Sequence, residues 1–264
     1  MINTVYRLVA PRRFEIAFED INLFGENAIV RPTYLSICNA DMRYYLGTRD
    51  AKVLAEKLPM ALIHEGVGEV FLDPTGTFKT GDKVVMVPNA PVEKDEFIAE
   101  NYLRSSKFCG SSMDGFLQEF VEISPKRLVK LPDDIDMTVA AFTEIVSVSV
   151  HAISRFDKIA HARRNTISVW GDGNLGYITS LFLKYHFPKS KIVVFGTSSD
   201  KLADFTFADE THLVNEVPDG FTTDHAFECV GGNGSPIAIE QIIGLIKPEG
   251  TISILGVSEY PVPI

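Results

Sequence analysis

Three cysteines and a deficit of basic residues set the first limits on this chain of 264 residues. Cys38, Cys109 and Cys229 are too few and too scattered for a disulfide framework, which suits a reducing compartment. Lys and Arg number 25 against 35 Asp and Glu, a formal charge of −10. A surface of that sign argues against a nucleic-acid partner, because tracking phosphates requires basic surface. The same field repels anionic ligands, so any phosphate-bearing substrate needs a local cluster of Arg or Lys. Long apolar runs are missing as well: no stretch approaches the roughly 20 residues of a membrane span. The opening MINTVYRLVAPRRFE lacks the continuous apolar region of a secretory signal. The remaining composition, 45% hydrophobic and 23% charged, is that of a soluble globular protein able to bury one or two cores. A cytoplasmic location is the expectation.

The most informative stretch is TISVWGDGNLG, residues 166–176. It reads as a β-branched strand running into a glycine-rich turn that opens a helix over 175–187, with Pro188 as the stop and a second strand over 191–195. Such a turn seats a dinucleotide pyrophosphate: Gly171 for the tight turn, Gly173 for close backbone approach, Gly176 for helix–strand packing. The N–H groups of Asn174, Leu175 and Gly176 at the helix start would face the anion. Strand-like runs at 166–170, 191–195, 212–215, 224–228 and 251–255 alternate with helical stretches, notably 236–246, and so predict βαβ units and a parallel sheet. That makes about five strands where a complete doubly wound sheet has six. The chain stops at Tyr260-Pro-Val-Pro-Ile264, and a truncated C-terminus is expected.

The first half is different: short β-type runs at 28–35, 63–72, 83–88 and 116–123 are separated by Gly, Pro and Asp. Residues 90–107 are polar and read as a surface lobe. The apolar stretch 137–153 reads as a buried helix crossing into the second unit. The expected fold class is therefore α/β, a Rossmann doubly wound parallel sheet over 143–264 joined to a β-rich domain over 1–142.

Nucleotide choice follows from charge. NAD-selecting sheets end the second strand in an Asp or Glu that binds ribose hydroxyls. Here Gly196 stands at that position, so the repulsion toward a 2′-phosphate is gone. Thr197, Ser198 and Ser199 offer hydroxyls, and Lys201 a positive charge; NADPH is the expected cofactor. The alternative is that 197–200 caps the next helix, and both roles can hold together. His151, His161 and His225 are read as core or surface histidines.

Three separated ligand-type positions lie upstream: Cys38, the pair His64-Glu65, and Glu144. Thiolate, imidazole and carboxylate suit a catalytic zinc with an open position. On spacing alone the set reads more readily as a core cysteine and a structural His-Glu pair.

The surrounding motifs go further. Ser36-Ile-Cys38-Asn-Ala-Asp41 resembles the GICGTD segment of the zinc-dependent medium-chain alcohol and polyol dehydrogenases. Ile63-His64-Glu65-Gly-Val-Gly68-Glu-Val with Gly81-Asp82-Lys-Val resembles their GHEGVGEV…GDRV block. Asp114-Gly115-Phe116 with Glu119-Phe120 is similar to their GGFAEY strand. AAFTEIVSVSVHA over 140–152 is similar to the segment supplying a third zinc ligand. These matches run in order along nearly the whole chain. The resemblance implies a GroES-like catalytic domain, one catalytic zinc held by Cys38, His64 and Glu144, with Glu65 as an exchanging ligand, and Asp41 orienting the metal-site imidazole. Relatives with a structural zinc carry four cysteines in the lobe where this chain has Cys109 alone, so no structural zinc is expected. Ala40 replaces the usual proton-relay Ser or Thr, leaving zinc-bound water, Tyr44 or Glu144 as substitutes. Ile63 stands where the family has Gly.

Within that family, segments such as RPTYLSICNADMRYY and DHAFECVGG are similar to the ribulose-5-phosphate reductases of CDP-ribitol and wall teichoic acid synthesis. This implies an oxidoreductase that uses NADPH and zinc on a phosphorylated ketopentose, with a ribitol-5-phosphate cytidylyltransferase as functional partner and a homodimer as the full-length assembly. Arg43, Tyr44, Arg49 and Lys52 form the cluster expected to meet the phosphate; the alternative is a solvated turn or a subunit contact. Other readings are a zinc polyol or alcohol dehydrogenase acting on an uncharged substrate, and a non-catalytic NADP-binding relative.

Overall fold

The protein is described here by a computed structural model, for residues 1–258; residues 259–264, which include the expected chain end at 260–264, lie outside the described residues. Two compact units divide between Glu144 and Ile145. Among the described residues no helix is long and apolar enough to cross a membrane.

The first unit is antiparallel. It opens with a hairpin of β1 (Ile2–Ala10) and β2 (Arg13–Asp20), which has no counterpart among the expected strands. β3 (Ala28–Ser36) is followed by two short helices, α1 (Asn39–Leu46) and α2 (Ala51–Lys57). The charged segment 43–52 is thus mostly helical and not a solvated turn. Gly47 closes α1 in the left-handed conformation (φ 72), and the Asp50 carboxylate caps α2 by accepting from Lys52 N at 2.8 Å. Next come β4 (Met60–Ala61), β5 (Glu65–Leu72), β6 (Lys83–Met86), β7 (Asn89–Ala90), β8 (Lys107–Phe108), β9 (Val121–Ile123) and β10 (Leu128–Lys130).

The strands order as β2-β1-β4 and β10-β6-β5-β3-β9, with β7-β8 as a separate pair. Pro32 lies within β3, a central strand, and is accommodated because the β3–β5 register shifts between Pro32 and Tyr34. Val30, Val70, Val84, Met86, Phe116, Val121 and Ile123 close the core of this larger sheet. The expected strand over 116–123 shortens to β9, since Phe116 to Glu119 direct their N–H groups to loop and β1 carbonyls instead of to a ladder.

The apolar stretch 137–153 splits into α3 (Met137–Ala140) and α4 (Thr143–Ile159). Along α4 the buried positions are Ile145, Ser149, Ile153 and Phe156, a stripe of helical period, so the helix is amphipathic and not buried all round. From Ile145 onward it belongs to the second unit.

That unit is a five-stranded parallel sheet among the described residues. β11 (Thr166–Trp170), α5 (Asn174–His186), β12 (Lys191–Gly196), α6 (Ser199–Leu202), β13 (Glu210–Leu213), β14 (His225–Glu228), α7 (Ser235–Leu245) and β15 (Ile252–Ile254) follow in sequence, and the strands order as β13-β12-β11-β14-β15. Alternation along β12 serves two cores. Ile192 and Val194 pack with Ile153, Phe156, Leu183 and Leu202 on one face; Val193 and Phe195 pack with Trp170, Ala238 and Ile242 on the other. Strand order reverses between β11 and β14, and open α/β sheets bind ligands beyond the strand ends at such a reversal.

Candidate functional site

In the first unit, Cys38 stands at the N-cap of α1, and His64 and Glu65 stand where the chain enters β5. The thiol sulfur, an imidazole nitrogen and a carboxylate oxygen of these residues all lie within 4.8 Å of one another. Asp41, in the first turn of α1, ties the two segments together. Its carboxylate accepts from Cys38 N at 3.0 Å and from Ile63 N at 3.0 Å. It also stands 3.6 Å from His64 Nδ1, an ion-pair distance slightly long for a hydrogen bond. That leaves Nε2 on the side of Glu65, 3.9 Å from Oε1. Asp41, His64 and Glu65 are all buried.

The entry to β5 is strained. Ile63 has φ 74, a left-handed conformation that a β-branched residue rarely adopts and that the family's Gly adopts freely. Its amide is held by Asp41, and its carbonyl accepts from Phe116 N at 2.7 Å.

Electrostatics bear on what the pocket can hold. Burial opposes charge on His64, yet the polar and charge interactions with Asp41 and Cys38 push its pKa up to about 10. Burial pushes Glu144 up to about 7; His64 opposes the rise, and Glu65 and Asp41 add to it. Glu144 therefore shares the electrostatic environment of the cluster, although it is not part of the 4.8 Å set. One imidazole amid a thiol and three carboxyl groups is a site short of positive charge. Sulfur, nitrogen and oxygen donors together fit zinc, whose bond lengths place ligand atoms about 3.5 Å apart. A contraction of roughly 1 Å in side-chain positions would close the set.

Tyr44 is 2% exposed and packs with Leu8, Met60, Leu62 and Ile63. Its ring carries the Arg49 guanidinium at 4.3 Å, a cation–π contact. This placement supports a packing role for Tyr44 more than a proton relay. Arg43 projects from α1, half-buried. Sequence reasoning missed Arg127. Its guanidinium donates to the carbonyls of Val87 at 2.8 Å and Pro88 at 3.0 Å, and to Cys109 Sγ at 3.2 Å. It thereby anchors the base of the polar lobe. An arginine far along the chain from that lobe gives no local sequence signal.

In the second unit the glycine turn joins β11 to α5. Gly171 has φ 131, and a Cβ there would meet Cys229 O at 2.9 Å. A Cβ on Gly176 would meet Gly171 O at 2.0 Å, so only glycine allows the helix start to pack on the turn. Gly173, the N-cap of α5, faces open space, and no side chain caps the helix. The N–H groups of Asn174, Leu175 and Gly176 thus begin the helix beside an open approach.

The following loop departs from expectation. Thr197 and Ser198 direct their backbone N–H groups to the Asp172 carboxylate, at 2.7 and 2.8 Å. The Ser198 hydroxyl caps α6, accepting from Lys201 N at 3.4 Å. The capping alternative is therefore realised, and α6 carries Asp200 and Lys201 directly behind its cap. His225 is a satisfied core histidine: Nδ1 accepts from Thr251 N at 3.1 Å, Nε2 meets the carbonyl of Arg163 at 3.1 Å, and burial holds its pKa down.

A Rossmann-type sheet with a glycine turn and an antiparallel unit with a Cys-His-Glu cluster define a nucleotide-dependent oxidoreductase of the zinc type. Residues 25–133 match the family described as "Alcohol dehydrogenase GroES-like domain". The chain is 56% identical over 264 residues to a protein from Staphylococcus aureus named "Ribulose-5-phosphate reductase 1", with 100% of this chain and 77% of that protein covered. The figures are the same for a "Ribulose-5-phosphate reductase" from Bacillus spizizenii. Among solved structures, S. aureus TarJ in complex with NADPH superposes with a TM-score of 0.86 at 51% identity, covering 100% of this chain and 76% of that one. The chain belongs to the zinc-type alcohol dehydrogenases, in the same family as these reductases.

Proposed function

We infer that the chain is an NADPH-dependent, zinc-dependent oxidoreductase that reduces D-ribulose 5-phosphate to D-ribitol 5-phosphate, the step that supplies ribitol for CDP-ribitol and teichoic acid. The observation that carries this is the Cys38, His64 and Glu65 cluster on the same chain as the glycine turn at 171–176. Full-length similarity to ribulose-5-phosphate reductases narrows the substrate. The first unit serves as the catalytic domain and the second as the NADP-binding domain.

The residues that would hold zinc are Cys38 and His64, with Glu144 and Glu65 as alternating carboxylates. When bound, zinc polarises a carbonyl oxygen and NADPH supplies hydride to the adjacent carbon. Asp41 orients the cluster by gripping the backbone on both sides, at Cys38 and Ile63. The desolvated pocket strengthens every charge interaction in it. Gly171, Gly173, Asn174, Leu175 and Gly176 cradle the pyrophosphate, and Lys201, beside Thr197 and Ser198, attracts the 2′-phosphate. Arg43 is the proposed contact for the substrate phosphate, with Arg49 held nearby over Tyr44. By family resemblance the enzyme acts in the cytoplasm as a homodimer, and a cytidylyltransferase consumes its product.

Turnover tests the reading: loss of NADPH absorbance with ribulose 5-phosphate, with free ribulose as the comparison. Strong preference for the phosphorylated ketose, with a higher KM in Arg43→Ala, is the expected result. Equal rates on free ribulose would point to an ordinary polyol dehydrogenase, and NADPH binding without turnover of any ketose to a non-catalytic relative.

A further inference from the structure

Asp172 sits inside the glycine turn, between Gly171 and Gly173, where a small neutral residue would suffice. Its side chain reaches across to the loop that follows β12. There Oδ2 accepts from Thr197 N at 2.7 Å, Thr197 Oγ1 at 3.2 Å and Ser198 N at 2.8 Å. Burial pushes this carboxyl up, but those donors, with Lys201 nearby, carry it below the ordinary carboxylate range. The carboxylate also takes up space. A Cβ built on Gly196 would lie 2.7 Å from Asp172 Cβ and 2.9 Å from Oδ2, with Leu202 Cδ2 also at 2.9 Å. The strand end from which a ribose-binding acid projects in NAD-selecting sheets is thus already filled from the neighbouring turn. A depression lined by Asp172, Asn174, Tyr177, Lys201, Asp204 and Phe205 opens beside it.

We propose that Asp172 is a positioning residue for the nucleotide. It latches the 196–198 turn onto the glycine turn and, by filling the space beside Gly196, leaves no room for a carboxylate borne by the end of β12 to aim at the ribose 2′ position. Asp172 and Gly196 act as a pair: the same negative charge that would repel a 2′-phosphate from the end of β12 is turned onto backbone N–H groups and neutralised there. Lys201 is then the cation lining the depression beside it, with Asp204 the further acid there. The proposal rests on the reading that this unit binds NADPH.

Equilibrium binding of NADPH and NADH to the full chain, followed by nicotinamide fluorescence, tests it without any turnover. Thermal unfolding run in parallel reports whether each variant is folded. Asp172→Ala is expected to weaken NADPH about 10-fold, the loss of one or two charge-assisted hydrogen bonds. Asp172→Asn keeps an acceptor oxygen and is expected to stay within about 3-fold of wild type. Gly196→Asp alone clashes and is expected to weaken both nucleotides. Asp172→Gly combined with Gly196→Asp returns the acid to β12 and is expected to shift the affinity ratio toward NADH by at least about 10-fold. NADPH binding by Asp172→Ala at wild-type strength would overturn the latch. An equal gain of NADH affinity in Gly196→Asp alone would overturn the pairing. If Asp172→Ala does not fold, the double exchange still decides: an unchanged ratio of NADPH to NADH affinity there overturns the proposal. Wild-type protein that binds neither nucleotide would overturn the cofactor reading and the proposal together, whereas normal wild-type binding with an unchanged Asp172→Ala overturns only the proposal.

Discussion

Replacing Asp41 with Asn removes one charge and one acceptor from beside the Cys38, His64 and Glu65 cluster while keeping the shape of the side chain. The native carboxylate accepts from Cys38 N and Ile63 N, each at 3.0 Å, and faces His64 Nδ1 at 3.6 Å. An amide has a single acceptor oxygen, so one buried N–H is left facing an NH2 group. An orphaned buried donor costs about 1–3 kcal/mol, and losing the charged acceptor raises the total to about 2–4 kcal/mol. The pH dependence should change as well. In metal-free protein His64 is pushed up to about 10, above its ordinary 6.5. The folded state therefore binds more protons than the unfolded state across that window. The stabilisation is full below the unfolded pKa and is lost as pH rises toward 10. At 1.36 kcal/mol per unit, the ceiling on that loss is about 5 kcal/mol.

Urea unfolding of chelator-treated protein across this pH range is the assay. Wild type should lose stability steadily as pH rises, and Asp41→Asn should start lower and show a flatter decline, because the main attraction holding the proton on His64 is gone. Zinc affinity should fall roughly 10- to 100-fold, as it does when a partner that orients metal ligands is removed. Parallel pH profiles for the two proteins, or a stability difference below about 0.5 kcal/mol, would refute the account of Asp41 as the tie between the two segments.

Glu144→Gln should stabilise metal-free protein above neutral pH by about 1–3 kcal/mol: the buried carboxyl titrates near 7, and a neutral amide avoids ionising there; it should also weaken zinc binding, read by competition with a chromogenic chelator. Arg127→Ala strips donors from the carbonyls of Val87 and Pro88 and from the Cys109 sulfur, and should cost about 2–3 kcal/mol in denaturant unfolding, with proteolysis beginning in the polar lobe at 90–107. Gly176→Ala would drive a methyl to 2.0 Å from Gly171 O, and should abolish NADPH binding while leaving zinc content at the wild-type level by elemental analysis. Chelation of wild-type protein should remove activity, and added zinc should restore it.

Much of the second unit was legible because its signals are local. A β-branched run, three glycines at fixed spacing and a proline stop sit within one short stretch of chain, and α5 (Asn174–His186) lies within a residue of the expected helix. The β13 strand was misplaced by two residues, as Glu210–Leu213 against 212–215, because its outward positions are only half-buried and blur the apolar pattern. The N-terminal hairpin was overlooked for a similar reason. Its second strand, RFEIAFED, is exposed at nearly every position, so there is no buried face to read. α1 and α2 have no counterpart among the expected elements, because their charged residues mask two short helices whose start and stop are set by Asp50 and Gly47.

The identities of the ligand-type residues, the glycine spacing and the alternation of strands with helices in the second unit are written in the chain, since each depends on residues close together in sequence. Tertiary structure alone decided that Asp41, besides capping its own helix, grips the residue before His64, that Tyr44 is core, that Arg127 anchors a distant lobe, and that Asp172 and not Gly196 supplies the carboxylate beside β12. Each of these is a contact between segments roughly 20 or more residues apart. Such contacts depend on where the backbone directs a polar group once the cores have closed, and no local pattern of residue types encodes that direction.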